Sequence, residues 1–278
     1  SGIPDTAEGR LAVGRKIIER AAEYGIGPED IILDGLCMTV SSDSKGALTT
    51  LETLRRIRDE LGVGTVLGVS NISFGLPQRE IINAAFFTMA MEAGEQLKEY
   101  GCERPTHIFV QAGVGSLAGA VVGYYSNLYA DNPPTFVVVE AEAAACLYKG
   151  AAAGDGDIRI VDGDMETIMA GLACGEPNTI SWDILKNHVK VFIAAPDWVA
   201  ATGMRMLGAP IKGDAPVTSG ESGAAPFGAL AAVMSMDEYA ELRKDIGLDE
   251  NSRVLLFSTE GDTDPDRYKN IVWKGLDK

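Results

Sequence analysis

Histidine is nearly missing from this chain: His107 and His188 are the only two in 278 residues. Cysteine is scarce too, at four residues (Cys37, Cys102, Cys146, Cys174) with no Cys-x-x-Cys pair. So few thiols over such a length build no disulfide framework, and a zinc site would have to gather ligands from far apart. No metal site is expected. Positive charge is also short, with 24 Lys and Arg against 40 Asp and Glu and a formal net charge of −16. That field repels nucleic acid and anionic membranes, so neither is expected as a partner. No apolar run approaches the ~20 residues a membrane helix needs, and the first residues show no signal-peptide pattern. The expectation is a cytoplasmic-type protein, recombinant if Ser1-Gly2 is a tag-removal scar. Internal repeats, low-complexity tracts and Pro/Gly-rich linkers are absent as well.

Hydrophobic residues make up 46% of the chain and charged residues 23%, ordinary globular values that allow a large core. Near-continuous apolar runs occur at 31–36, 65–70, 107–111, 135–140, 189–195 and 253–258. Such runs suit strands buried on both faces, as in parallel sheets. Amphipathic stretches lie between them: 7–24 ends at Gly25, 44–61 at Gly62 and 77–100 at Gly101, each glycine where a helix end favours one. The alternation predicts an α/β fold, a three-layer αβα arrangement with a mainly parallel sheet and helical crossovers. In 77–100, Ile82, Phe86, Met89, Ala93 and Leu97 form one apolar stripe, and Pro77 suits a helical first turn.

Asp34 follows one strand run and Asn71 ends the next. Polar groups at the carboxyl ends of parallel strands face the ligand crevice, so a carboxylate and a carboxamide there suit a heterocycle. They equally suit capping of the loops that follow. Further on, strand 107–111 runs into Ala112-Gly113-Val114-Gly115-Ser116 and an apolar helix. Glycines let backbone approach an anion, and a helix N-terminus offers free amides and a positive dipole end. The spacing matches neither the Walker loop nor the dinucleotide fingerprint, and tight packing of helix on sheet is the alternative. Glu221, in Ser219-Gly220-Glu221-Ser222-Gly223, could meet a cationic ring group or simply face solvent. Ser258 leaves the last strand at its carboxyl end, where its hydroxyl suits a ring nitrogen or a polar turn.

Two resemblances bear on these residues. Asp34-Gly35-Leu36-Cys37-Met38-Thr39 and Gly68-Val69-Ser70-Asn71-Ile72-Ser73-Phe74-Gly75-Leu76-Pro77 resemble the pterin-binding barrel of cobalamin-dependent methionine synthases and related methyltetrahydrofolate methyltransferases. The likeness covers about 2–94 and implies that Asp34 and Asn71 are remnants of a pterin site. It represents two βα units of an eight-stranded TIM-type barrel. From about 89 to 278, the glycine loop, Gly171-Leu172-Ala173-Cys174-Gly175-Glu176, the Glu221 loop and Ser258-Thr259-Glu260-Gly261-Asp262 resemble the diaminopropionate ammonia-lyases. These are pyridoxal-phosphate enzymes of the tryptophan-synthase β-like fold, fold type II. This implies that Gly113, Val114, Gly115 and Ser116 hold the cofactor phosphate, with Glu221 and Ser258 near the ring. It implies a homodimer too. Cys146 and Cys174 match cysteines that pair in some members, although free thiols are expected in a reducing compartment.

No Phe-Lys dipeptide of the lyase kind occurs, and Lys45, Lys149, Lys186, Lys190 and Lys212 lie outside any matching context. Without a desolvated lysine no Schiff base forms, so no catalytic residue is assigned. The expectation is therefore an engineered chimera: a barrel fragment at 1–94 joined to a lyase large-domain fragment at 95–278 through the helix around 88–98. The whole would form one continuous α/β domain. It would be a designed fusion without native activity, retaining weak, non-covalent binding of pyridoxal phosphate or of a phosphate or sulfate ion. The alternatives are a working pyridoxal-phosphate ammonia-lyase and a pterin-binding module.

Overall fold

The computed structural model describes residues 2–39, 45–73 and 101–276. The chain divides into two compact units, Ser1–Ala93 and Gly94–Lys278. The helix expected at 77–100, with its apolar stripe and the join at 88–98, lies outside the described residues.

In the first unit, α1 (Ala7–Ala22) begins at Thr6, whose hydroxyl accepts the Gly9 amide at 3.2 Å and supplies one of the bonds a helix start lacks. β1 (Ile32–Asp34) pairs in parallel with β2 (Gly64–Val66). Between them, α2 (Gly46–Arg56) continues into a π turn over Ile57–Leu61 that ends at left-handed Gly62. Leu11, Ile31, Leu33, Ile57 and Val63 form the core of this layer. Both strands are shorter than the apolar runs suggested. Leu36 takes a positive φ just past β1, and 69–73 coil into a 3-10 turn just past β2.

The second unit contains a parallel sheet of β3 (His107–Gln111), β4 (Thr135–Ala141), β5 (Val189–Ala195) and β6 (Val254–Leu256), in the order β5-β4-β3-β6. Around it lie α3 (Ser116–Leu128), α4 (Cys146–Ala153), α5 (Thr179–His188), α6 (Asp197–Gly208), α7 (Glu221–Ser235), α8 (Ala240–Ile246) and α9 (Pro265–Val272). Every residue of β3 is buried, as the unbroken apolar run requires. Side chains alternate along a strand, which assigns the two faces. Phe109, Val137, Val139, Val191 and Ile193 pack with α6, α7 and α9. The intervening Phe192 meets Trp182 of α5 with ring centroids 6.0 Å apart. Helices thus cover both faces, giving three layers.

The α6–α7 contact is closer than side chains allow. A Cβ at Gly228 would lie 1.9 Å from the Val199 carbonyl oxygen, and one at Gly203 would lie 2.3 Å from that of Ala224. Glycine at both positions lets the two backbones touch, which fixes the start of α7 against the sheet.

Candidate cofactor-binding site

β3 and β6 are neighbours in the sheet, and a cleft of about 380 Å³ opens beyond their carboxyl ends. Its walls are the loop from Gln111 to Leu117, the turn carrying Gly171, Leu172 and Cys174, Ser222 at the start of α7, and Thr259 with Glu260 after β6. In open parallel sheets this edge is where ligands bind.

The glycine loop forms the floor. Gly115 adopts φ 93°, a left-handed conformation that side chains disfavour, and it turns the chain directly into α3. No side chain caps α3. The amides of its first turn have no intrahelical partners, so they and the dipole end are available to an anion. The loop is braced from below, where the Asn178 amide donates to the Val114 carbonyl at 2.8 Å.

The second helix start facing the cleft is already satisfied. Glu260 accepts the Ser222 amide at 2.8 Å, and its backbone carbonyl accepts the Gly220 amide at 2.9 Å. Ser222 in turn accepts the Gly171 amide at 3.2 Å. The chain's own carboxylate therefore fills the N-terminus of α7 and leaves that of α3 open. Gln111 is 2% exposed. Its Nε2 donates to the Phe257 carbonyl and to Thr259 Oγ1, both at 2.9 Å. These bonds fix the amide orientation, and Oε1 is left buried without a partner. The open helix start and the orphaned acceptor both suit a phosphate-bearing ligand with donor groups of its own.

The residues singled out from sequence separate into two sets. Gly113, Val114, Gly115 and Ser116 line the cleft together. Glu221 and Ser258 stand beside it and do not line it. Glu221 pairs with Arg267 at 3.3 Å; burial raises its carboxyl pKa above the usual range, and Arg267 opposes that rise. Ser258 donates to Ser219 Oγ at 2.9 Å. The lining is made by their neighbours Ser222, Thr259 and Glu260. Those three adjoin Glu221 and Ser258 in sequence, but strand alternation does not extend into loops, so the sequence carried no signal of which side chain turns inward.

Cys146 and Cys174 are free thiols. Cys146 Sγ lies 3.5 Å from the Cys174 carbonyl oxygen, and burial pushes its pKa up to about 12. In the first unit, Asp34 accepts the Leu36 amide at 2.9 Å, closing its own turn. Asn71 is exposed, with its amide nitrogen 3.0 Å from where a Cβ on Gly68 would sit. No lysine lines the cleft among the described residues, and Lys186 pairs with Asp183 at 2.7 Å. No cluster of three or more His, Cys, Asp and Glu able to hold a metal occurs among the described residues. No helix among them is long and apolar enough to cross a membrane.

A parallel α/β sheet with a glycine loop, an uncapped helix start and a cleft at the strand ends defines a class of proteins that bind phosphate-bearing cofactors. Within that class the chain belongs to the pyridoxal-phosphate dependent enzymes, whose family model matches residues 48–259. Over 195 residues it is 50% identical to the diaminopropionate ammonia-lyase of Salmonella typhimurium, covering 70% of this chain and 48% of that protein. A crystal structure of the Escherichia coli diaminopropionate ammonia-lyase superposes with a TM-score of 0.65 at 40% identity, covering 82% of this chain and 57% of that one. A methylcorrinoid:tetrahydrofolate methyltransferase of Eubacterium limosum is 32% identical over 97 residues, 34% of this chain and 35% of that protein. The chain spans about half the length of the ammonia-lyases it matches.

These findings overturn the expectation of an inactive designed fusion. The family match begins at residue 48 and runs through 88–98, the stretch taken as a join. It includes Gly68 and Asn71, which had been assigned to a different enzyme. Relatives at 46–50% identity are ammonia-lyases, which favours the lyase alternative. The methyltransferase likeness over 97 residues stands beside the family match, as βα units are common to all parallel α/β folds.

Proposed function

We propose that this chain holds the phosphate of pyridoxal phosphate at the N-terminus of α3 and serves an ammonia-lyase reaction of the diaminopropionate type. The observation that carries this reading is the contrast between two helix starts on one cleft, one filled by Glu260 and one open. A dianionic phosphate gains most from the open one, where each charge-assisted amide bond is about twice as strong as a neutral one.

When bound, the cofactor supplies an electron sink for bonds broken next to the substrate amino group. The chain's own residues bind and orient. Gly113, Val114, Gly115 and Ser116 present backbone amides and one hydroxyl to the phosphate. Gln111 Oε1 accepts a hydrogen bond from the ligand, and the Gln111 amide, through Thr259, keeps the β6 loop in place as the far wall. Leu117 and Leu172 exclude water from the phosphate-bearing end of the cleft. Glu221 and Ser258 act from just outside, Glu221 by pinning Arg267 and Ser258 by holding Ser219 at the foot of α7. Because no lysine lines the cleft among the described residues, these residues hold the cofactor without a covalent bond.

Titration with pyridoxal phosphate, followed by absorbance and then by borohydride reduction, tests both parts. Saturable binding with no reduced adduct on a lysine of the described residues is the expected result. No saturable spectral change would remove the cofactor reading, and a modified lysine among the described residues would remove the non-covalent one.

A further inference from the structure

Glu140, the residue before last in β4, is fully buried, 1% exposed, and plays no part in the reading above. Its two carboxyl oxygens divide between two successive amides of the first turn of α4: Leu147 donates to Oε1 at 2.8 Å and Tyr148 to Oε2 at 2.6 Å. Two threads run from that turn to the glycine loop. The Leu147 side chain packs under Gly115, with Cδ1 3.3 Å from where a Cβ would stand. The Cys146 thiol, a neighbour of Glu140, lies 3.9 Å from the Gly113 carbonyl oxygen and 3.5 Å from that of Cys174, another lining residue. A third connection is direct, since the Ala112 amide donates to the Val139 carbonyl at 2.9 Å, one residue before Glu140.

We infer that Glu140 is a positioning residue for the anion site: its carboxylate clamps the first turn of α4, and Leu147 and Cys146 carry that clamp to Gly115 and Gly113. This rests on the reading that 113–116 hold a phosphate. An ionised carboxylate accepts both amides with full charge, whereas a protonated one accepts them weakly and has a proton to place. The titratable group facing it is the Cys146 thiol. The strands on either side offer Ala194 of β5 and Ala112 beyond β3, and neither ionises. Anion affinity should therefore follow the charge on Glu140. Burial, partly offset by the two amides, raises its pKa to about 7, which places the change between pH 6 and pH 8.

The test titrates sulfate, whose charge is constant over that range, into the unaltered chain and into Glu140→Gln at pH 6 and pH 8. Gln fills the same space, accepts through one oxygen and does not titrate. If the clamp is worth about one helix cap, ~1 kcal/mol, the unaltered chain binds up to about fivefold more tightly at pH 8 than at pH 6, and Glu140→Gln shows no such ratio. An equal ratio in both proteins, with far-ultraviolet circular dichroism showing both folded, overturns the positioning role. If Glu140→Gln does not fold, Cys146→Ser serves instead: it keeps the titrating carboxylate, so the pH ratio should persist while affinity falls at both pH values. Affinity in Cys146→Ser equal to that of the unaltered chain at both pH values overturns the inference. If the unaltered chain binds no sulfate and no pyridoxal phosphate at either pH, the phosphate reading itself falls, and the positioning role falls with it.

Discussion

Glu140 also contributes to the pH behaviour of the fold. Its carboxyl pKa is raised in the folded chain from 4.5 to about 7 by burial. The folded state therefore binds the proton more tightly than the unfolded state, and the stabilisation is fully present below pH 4.5. It is lost as pH rises through 7, with a total on the order of 3 kcal/mol. Melting temperatures of the unaltered chain should fall from pH 4.5 to pH 8 more steeply than those of Glu140→Gln. Parallel curves would mean that the carboxyl is ionised throughout. The fold would then be least stable in the protonation state that holds the glycine loop best, a tension expected where burial serves a site. At this scale the sequence was only partly legible. The glycine loop could be read because glycine and strand-to-helix context carry their own geometry. Glu140 could not, because it sits inside an apolar run and its partners are backbone amides seven and eight residues away. The choice of Thr259 and Glu260 over Ser258, and of Ser222 over Glu221, depends on how two loops turn once β6 and α7 are packed.

Elements were more legible than residues. The apolar runs at 107–111, 135–140 and 189–195 become β3, β4 and β5 almost residue for residue; β3 and β4 are buried along nearly their whole length, and β5, at the sheet edge, is half-buried with Lys190 exposed. Gly62 takes a positive φ where it ends its turn, and Gly25 does so three residues past the end of α1. What could not be read was that two helices would approach through glycine. α7 carries Ser222 to the cleft, and its height against α6 is set by Gly228 touching Val199. A methyl group at 228 must separate the helices, an overpacking that costs about 1–3 kcal/mol. Gly228→Ala should lower the unfolding free energy by that amount, read as a lower denaturation midpoint, and also weaken pyridoxal-phosphate binding, because Ser222 and Gly171 move with α7. A midpoint within experimental error of the unaltered chain would show that the contact gives way without moving α7.

The whole molecule carries a net charge of −16 and is proposed to bind an anion. The overall field opposes that binding, so affinity has to come from short-range groups: uncapped amides, a left-handed glycine and a helix dipole whose reach ends within its first turn. The same charge, from which nucleic acid and anionic membranes are not expected as partners, does not bear in that way on a phosphate, since those partners present many charges over a wide surface and a phosphate occupies one pocket. The sequence showed both resemblances in the chain. It did not show that the family match runs through them from residue 48 to residue 259. The most direct test of the central claim is a calorimetric titration with pyridoxal phosphate, repeated in saturating inorganic phosphate. One cofactor per chain, displaced competitively by phosphate, is the predicted result. Binding that phosphate leaves unchanged, or no binding at all, would contradict the assignment of the α3 N-terminus as the cofactor-phosphate site.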